Sequence, residues 1–547
     1  MDRFEIARTL REIGTLLALE GAPPFRVQAY AKGATALESA EDFDRLLGER
    51  RLQDLPGIGA GLSATIVELA TSGRSSLLAE IEARLPRGAA ELAAILGLEP
   101  MKKLAAALGI ESLDALEAAC VAGRVRSVHG FGDKTEARLL EKIRAHRARG
   151  TELLLADARA VAHDFGDRLR AAHAELEEVT PVGAIRRGED LVGSIELLAI
   201  GEAEAGEIAR ALGAIPRVAR VEHHAAEPPT AIMADGTRVV VWLADPADAG
   251  AALFERTGPA EHAAPILARL SRKSRPTEEE LYRDAGLAFI PPELRDAPDL
   301  AGAAELVTAT DVRGLVHCHT TWSDGRHSVA EMARAAAARG LTYLTITDHS
   351  AAAAYANGLD ADRLQRQWDE IDRVQATTAV RLLKGVESDI LADGALDYPE
   401  AILARLDLVI ASIHARHGQS PADMTRRLVA MMRHPVRKIW GHPLGRLLQK
   451  RAPIECDLDL VLRTAAETGT IIELNGDPHR LDLPAPIARQ ASALGLSFVL
   501  SADAHAIEQL GYLENAVTVA RRAGLSCERI LHPLPLERFL EAVRPVA

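Results

Sequence analysis

Two histidines one residue apart, with an aspartate five residues further on, sit in the stretch Val316-His317-Cys318-His319-Thr320-Thr321-Trp322-Ser323-Asp324-Gly325. At the end of a β-strand, residues i and i+2 face the same way, so His317 and His319 would project into one cavity while Cys318 points away into packing. Two imidazoles and a carboxylate can grip a divalent cation. Taken alone the trio reads equally well as solvated or structural side chains, so its weight rests on partners downstream. Partners recur: later apolar runs end YLTITDH with His349, RLLKGVE with Glu387, LDLVIASIH with His414, KIWGH with His442, TIIELN with Asn475 and SFVLSADAH with Asp503 and His505. A lone strand-end histidine is more often core or surface than ligand; this many, accompanied by carboxylates, reverses that reading.

These residues need elements that aim them inward. From Asp311 onward short apolar runs alternate with helical stretches, which predicts a parallel sheet with helices outside. Side chains collected at strand C-termini are what the active face of a (β/α) barrel presents, and seven such units predict a (β/α)7 barrel. Arg446 in GHPLGR and Arg480 in DPHRLDL also follow strand ends. Each could hold a substrate phosphate or be a loop arginine paired with a nearby acid. His417, His434 and His479 read as non-ligands.

The N-terminal third has another character. Ile6, Leu10, Ile13, Leu16 and Leu17, then Leu62, Ile66 and Leu69, fall at helical spacing. Between them lies Leu55-Pro56-Gly57-Ile58-Gly59-Ala60-Gly61, and a second copy follows as Val128-His129-Gly130-Phe131-Gly132-Asp133-Lys134. Bare backbone N–H groups of Gly57, Gly59 and Gly61, and of Gly130 and Gly132, next to a helix N-terminus can cradle a phosphate. Lys134 adds a cation, in a basic segment with Arg124, Arg126, Arg138, Lys142 and Arg144. Two such copies predict helix-hairpin-helix units that grip a DNA backbone without reading its sequence.

The 547 residues are too many for one core, and 48% hydrophobic content supports several. A net charge of -14 excludes a generally basic nucleic-acid coat. Lys and Arg balance Asp and Glu in the first 150 residues, so the acidic excess lies beyond them. Cys120, Cys318, Cys456 and Cys527 are scattered, which excludes a thiolate zinc cluster and fits a reducing compartment. No apolar run approaches the roughly 18 residues of a membrane span. A cytoplasmic, monomeric protein is the expectation.

From about Thr151 to Leu300 the pattern mixes helix and strand. The stretch Val182–Leu198, VGAIRRGEDLVGSIELL, resembles the nucleotidyl-transfer palm of the bacterial X-family DNA polymerases. PFRVQAYAKGA, both glycine hairpins, LFERTGPAEH and EELYRDAGLAFIPPELRD resemble the same family, so the likeness spans essentially the whole chain. It implies a helical DNA-end-binding domain over 1–82, a fingers-like domain over 83–150, a palm over 151–244, a thumb over 245–306 and a PHP phosphoesterase over 311–547. The overall class is thus multidomain α and α/β.

The palm departs from the family where metal and nucleotide would bind. A two-metal polymerase needs carboxylates at i and i+2 of one strand and a third on a neighbour. The family's Gly-Asp-x-Asp is here Gly193-Ser194-Ile195-Glu196, and its third carboxylate falls at Val240. Gly-Ser has become Gly183-Ala184, the aromatic pair before Thr-Gly is Glu255-Arg256, and an Asn has become Ala263. Magnesium at the palm is therefore not expected, and Glu196 reads as an edge carboxylate. Arg186 and Arg187 stay open between phosphate contacts and a solvated pair. Ala60 stands where the family commonly has Lys, which weakens the expected grip on a 5′-phosphate.

The C-terminal region resembles the PHP phosphoesterases fused to these polymerases. The resemblance implies nine ligands, His317, His319, Asp324, His349, Glu387, His414, His442, Asp503 and His505, none missing. In the family they hold three divalent metals, with Glu387 bridging two; manganese, zinc and iron all suit such ligands. The expected function is a DNA-binding, metal-dependent 3′-5′ exonuclease or 3′-end phosphoesterase acting on gapped or single-stranded DNA in repair, with polymerase activity lost. Alternatives are a still-active gap-filling polymerase, a non-catalytic DNA-end scaffold, a phosphate monoesterase, and an amidohydrolase, which would need a bridging lysine where Glu387 stands.

Overall fold

The computed structural model describes the chain except residues 1–2, 39, 41–42, 85–91, 93–95, 97, 150–151, 216–217, 225–226, 234–235, 271–273, 298–304 and 546–547. It divides into two compact units: Met1–Thr151 with Gly213–Val221 and Ile232–Thr237, and the remainder.

In the first unit, helices Arg3–Leu19, Pro24–Glu38 and Ala60–Ser72 enclose a core of Ile6, Leu10, Ile13, Leu37, Leu62, Ile66 and Leu69, matching the helical spacing of the sequence. A second core gathers Met101, Leu104, Leu116, Phe131, Leu139 and Ile143 from helices Leu98–Leu108, Leu113–Val121 and Asp133–Arg149 and the turn before the last of these. The two glycine hairpins are built alike. Each follows a 3-10 turn, Leu52–Asp54 or Val125–Ser127, and buries one apolar side chain, Ile58 or Phe131. The backbone N–H of that residue bonds back to Leu55 or Val128, at 3.1 and 2.9 Å. Gly57 and Gly130 take φ of +85° and +95°, where a Cβ would be strained.

The second unit begins with a sheet in which β1 (Leu176–Pro181) runs antiparallel and β3 (Arg238–Ala244) parallel to β2 (Ile195–Gly201). Helix Leu155–Ala172 turns Phe165 and Leu169 inward. Helices Ala249–Thr257, Ala260–Leu267 and Glu278–Asp284 share a small core of Phe254, Ile266, Leu281, Tyr282 and Leu294.

The same unit ends in a barrel. Its strands are β4 (Gly314–Leu315), β5 (Tyr343–Ile346), β6 (Arg381–Asp389), β7 (Leu408–Ser412), β8 (Ile439–Trp440), β9 (Ile471–Asn475) and β10 (Phe498–Ser501), all parallel and paired in chain order. Just past the ends of β4 and β10 the ring closes: His319 N–H donates to the Ala504 carbonyl at 2.8 Å and Ala504 N–H to that of His317 at 3.3 Å. The expected (β/α)7 architecture is what forms. β7 (LVIAS) and β10 (FVLS) read as nearly continuous apolar runs because both faces are covered. Val316, Leu383, Leu408, Ile410, Ile439 and Val499 cluster together, and the helix Leu536–Val543 adds Phe539 and Val543 to that cluster, stacking Phe539 on Tyr343 at the start of β5. One end is thus sealed with apolar side chains, which leaves the strand C-termini for chemistry.

Candidate metal centre

All nine residues of the expected set converge at the C-terminal mouth of the barrel. Glu387, at 1% exposure near the end of β6, is the hub. Its Oε2 lies 3.5, 3.6 and 2.9 Å from nitrogens of His317, His319 and His349, and its Oε1 3.2 and 2.9 Å from His414 and His442. Asp503 Oδ1 stands 3.5 Å from His317 Nε2 and 3.3 Å from His319 Nε2. Asp324 lies 3.8, 3.7 and 3.5 Å from nitrogens of His319, His349 and His505. Three overlapping groups bring ligand atoms within 4.8 Å of one another: His319, Asp324, His349 and His505; His317, His319 and Asp503; His349, Glu387 and His414.

The electrostatics fit cations. Burial alone would push the Glu387 carboxyl up, but His414, His349 and His317 more than offset it and hold it well below the usual range. His319, buried and beside His505 and His349, is pushed down to about 3. An ionised carboxylate so deep would cost many kcal/mol without positive neighbours. Buried atoms without a hydrogen-bond partner cluster here, including His317 Nε2, both nitrogens of His319, His349 Nδ1, Glu387 Oε2, His414 Nδ1 and His442 Nδ1. Orphaned buried polar atoms aimed at one another are what a metal-binding pocket shows without its ions. Asp503 and His442 also hold φ of +50° and +23°, backbone strain concentrated at the centre.

Several supporting residues escaped the sequence reading. Glu473, fully buried on β9, takes His317 Nδ1 at 2.6 Å and the backbone N–H of His442, fixing two imidazoles. Asp389, two residues beyond Glu387, lies 3.3 Å from His414 Nδ1. Asp348 accepts from Thr320 N–H and Oγ1, Ser323 N–H and Oγ, and Gln367, clamping the loop that carries Asp324. Asn475, singled out as a strand-end group, donates to Asp503 at 3.2 Å and so positions a carboxylate. The available signal was the residue before each histidine or two positions from a strand end, where burial makes a polar side chain costly unless paired. Cys318 is buried, with Sγ donating to the Thr345 carbonyl.

The two arginines separate. Arg480, largely buried, sits 3.5 Å from Asp503 and 3.8 Å from Asp477, with Nε and Nη1 unpartnered by hydrogen bonds. Arg446 is instead consumed by structure: it donates to the Arg480 and Leu481 carbonyls and to Asp190 at 2.9 Å. Its reading as a phosphate contact gives way to that of a loop arginine paired with an acid.

In the polymerase-like region the one group among the described residues that could hold a metal is His173, Glu175 and Glu207, a more exposed set that includes neither Glu196 nor Val240. Register sets Val240 directly opposite Glu196 on the neighbouring strand, where a carboxylate would be needed. Glu196 accepts from Trp242 Nε1 at 2.9 Å, and the Arg256 guanidinium covers that indole ring 3.6 Å from its centroid. Arg186 is bound to Glu278 and Thr257, and Arg187 to Glu189 and the Thr257 carbonyl. Neither arginine remains a free phosphate contact.

At the hairpins, Gly59, Gly61 and Gly132 lack positive φ, and a Cβ on any of them would meet nothing within 4 Å. Nothing inside the fold requires glycine there, whereas a phosphate approaching the backbone would. Lys103 Nζ lies 3.1 Å from where a Gly130 Cβ would stand, a cation the sequence reading passed over. The Lys134 side chain lies outside the described residues. Arg126 is tied to Asp133 and buried Glu136, bracing the second hairpin.

Fold and site define a helix-hairpin-helix protein carrying a PHP-type barrel. The helix-hairpin-helix domain family matches residues 1–75, the SAM-like helix-hairpin-helix tandem family residues 91–145, and the PHP domain family residues 316–475. The DNA polymerase/3'-5' exonuclease PolX of Bacillus subtilis is 32% identical over 572 residues, covering 99% of this chain and 100% of that protein. Probable phosphatases match about two fifths of the chain: one of Thermoanaerobacter sp. at 32% over 231 residues (40% of this chain, 88% of the relative), one of Acetivibrio thermocellus at 29% over 237 residues (42% and 93%). The chain belongs to the bacterial X-family DNA polymerase/3′-5′ exonucleases with a C-terminal PHP domain.

Proposed function

We propose that this chain is a metal-dependent 3′-5′ exonuclease or 3′-end phosphoesterase acting on DNA, and that its palm no longer polymerises. The observation that carries the reading is Glu387, whose two oxygens face two separate histidine groups, as a carboxylate bridging cations would. His317, His319, Asp324, His349, Glu387, His414, His442, Asp503 and His505 would hold three divalent ions; manganese, zinc and iron suit this donor set. Such ions, when bound, make water acidic enough to attack near neutral pH and offset charge on the phosphodiester and its leaving oxygen. The chain's own groups do the rest. Glu473 holds the His317 imidazole, Asp389 faces that of His414, Asp348 fixes the loop bearing Asp324, and Arg480 would bind a phosphate oxygen of the substrate. The helix-hairpin-helix units supply a sequence-neutral grip on DNA. With Ser194 and Val240 in place of carboxylates and Glu196 engaged by Trp242, the palm serves as scaffold, and a role in DNA repair follows from 3′-end trimming.

Purified protein with manganese should release label from 3′-labelled single strands and gapped duplexes. Absence of metal-dependent release, or equal release by a His317→Ala/His349→Ala variant, would sink the reading. A monoester such as p-nitrophenyl phosphate, hydrolysed in preference to DNA, would favour the phosphatase-like alternative that the probable-phosphatase relatives suggest.

A further inference from the structure

One large aromatic at the mouth of the centre is left in water. Tyr355, 72% exposed, lies in the loop after β5, its ring centroid 6.1 Å from the His349 ring and 6.2 Å from the His414 ring. The loop around it is pinned. Ala352 N–H donates to Asp397 at 2.7 Å, Asn357 takes φ of +56° and donates to the Trp322 carbonyl at 3.2 Å, and Arg363 donates to the Asn357 carbonyl at 2.8 Å. Trp322 and Asn357 thereby couple this loop to the one carrying Asp324. The backbone that carries the ring is thus held in place.

Resting on the phosphodiesterase reading, we infer that Tyr355 stacks on the base of the nucleotide at the 3′ end being cleaved. In that reading the imidazoles and carboxylates of the centre are committed to the cations and Arg480 to the phosphate, which leaves the heterocycle beside it without a partner. An exposed phenol face within one ring's reach of His349 and His414 supplies that partner. Every base has a π face, so the contact tolerates any sequence, in keeping with the hairpins' backbone-only grip. Tyr355 is then a positioning residue that touches the substrate base and takes no part in bond cleavage.

The test compares the full-length metal-loaded protein with Tyr355→Ala and Tyr355→Phe variants. Two single-stranded oligonucleotides are used, identical except that one ends in an abasic nucleotide. Tyr355→Ala should raise KM for the normal end by roughly tenfold or more, with a smaller change in kcat. It should also erase most of the preference for the normal over the abasic end, while Tyr355→Phe behaves as wild type and all three proteins carry equal metal. An unchanged preference in Tyr355→Ala overturns the stacking role, as does an equal loss in Tyr355→Phe, which would assign the function to the hydroxyl. Metal lost from Tyr355→Ala would assign a structural role instead. No 3′ release by the wild-type protein removes the phosphodiesterase reading itself, and the stacking role with it.

Discussion

Five imidazoles around one buried carboxylate are a costly arrangement to fold, and supporting groups offset part of that cost. Glu473 is the clearest of these, since it alone fixes His317 through Nδ1 and His442 through its backbone. Glu473→Gln keeps the shape but weakens that orientation; metal affinity or 3′ release should fall roughly 10–100-fold, read by metal titration and by the labelled-end assay. The arginines make a paired test. Arg480→Ala should cut kcat/KM roughly hundredfold or more with metal content unchanged. Arg446→Ala should instead destabilise the fold by about 2 kcal/mol, through the lost Asp190 and carbonyl bonds, seen as a lower Tm with kcat per folded molecule preserved. The ligands themselves were legible because each ended an apolar run or, like Asp324, lay in the loop directly after one. Glu473 and Asp348 were not, since a buried carboxylate inside or beside a strand looks like any surface acid until its partners are seen across the barrel.

At the scale of elements, the seven strands could be read from alternation alone, and their parallel order followed from the intervening helices. Short β4 and β8, of two residues each, show the limit: their runs are longer than the regular pairing, because His317, His319 and His442 lie where the strands splay into the mouth. The glycine hairpins were legible as a repeated pattern. The structure adds which glycines serve the turn and which face outward. Gly59→Ala combined with Gly132→Ala meets open space, so thermal stability should change by less than about 1 kcal/mol. Affinity for a gapped duplex should nevertheless fall several-fold, measured by fluorescence anisotropy at fixed salt; unchanged affinity would remove the hairpins from the DNA contact. Lys103 was invisible as a partner because its proximity to Gly130 arises only from folding.

For the whole molecule, the second unit joins a polymerase-like sheet to the barrel through charge: Asp190 with Arg446 and Arg522, Asp296 with Arg522, and Glu293 with Arg521 at 2.6 Å. In the polymerase-like part, acids and arginines pair within the fold, as Arg186 with Glu278 at 2.6 Å and Glu196 with Trp242 illustrate. The family resemblance leads one to expect carboxylates where Ser194 and Val240 stand, but this pairing depends on side-chain directions that no motif specifies. The central claim is that the barrel is the working centre and the palm is not, and one gel tests both halves. A 5′-labelled primer on a gapped template, incubated with manganese or magnesium and all four nucleotides, should only shorten, and a His319→Ala/His349→Ala variant should leave it intact. Template-dependent lengthening by the wild-type protein, or shortening that survives the double substitution, would contradict the account.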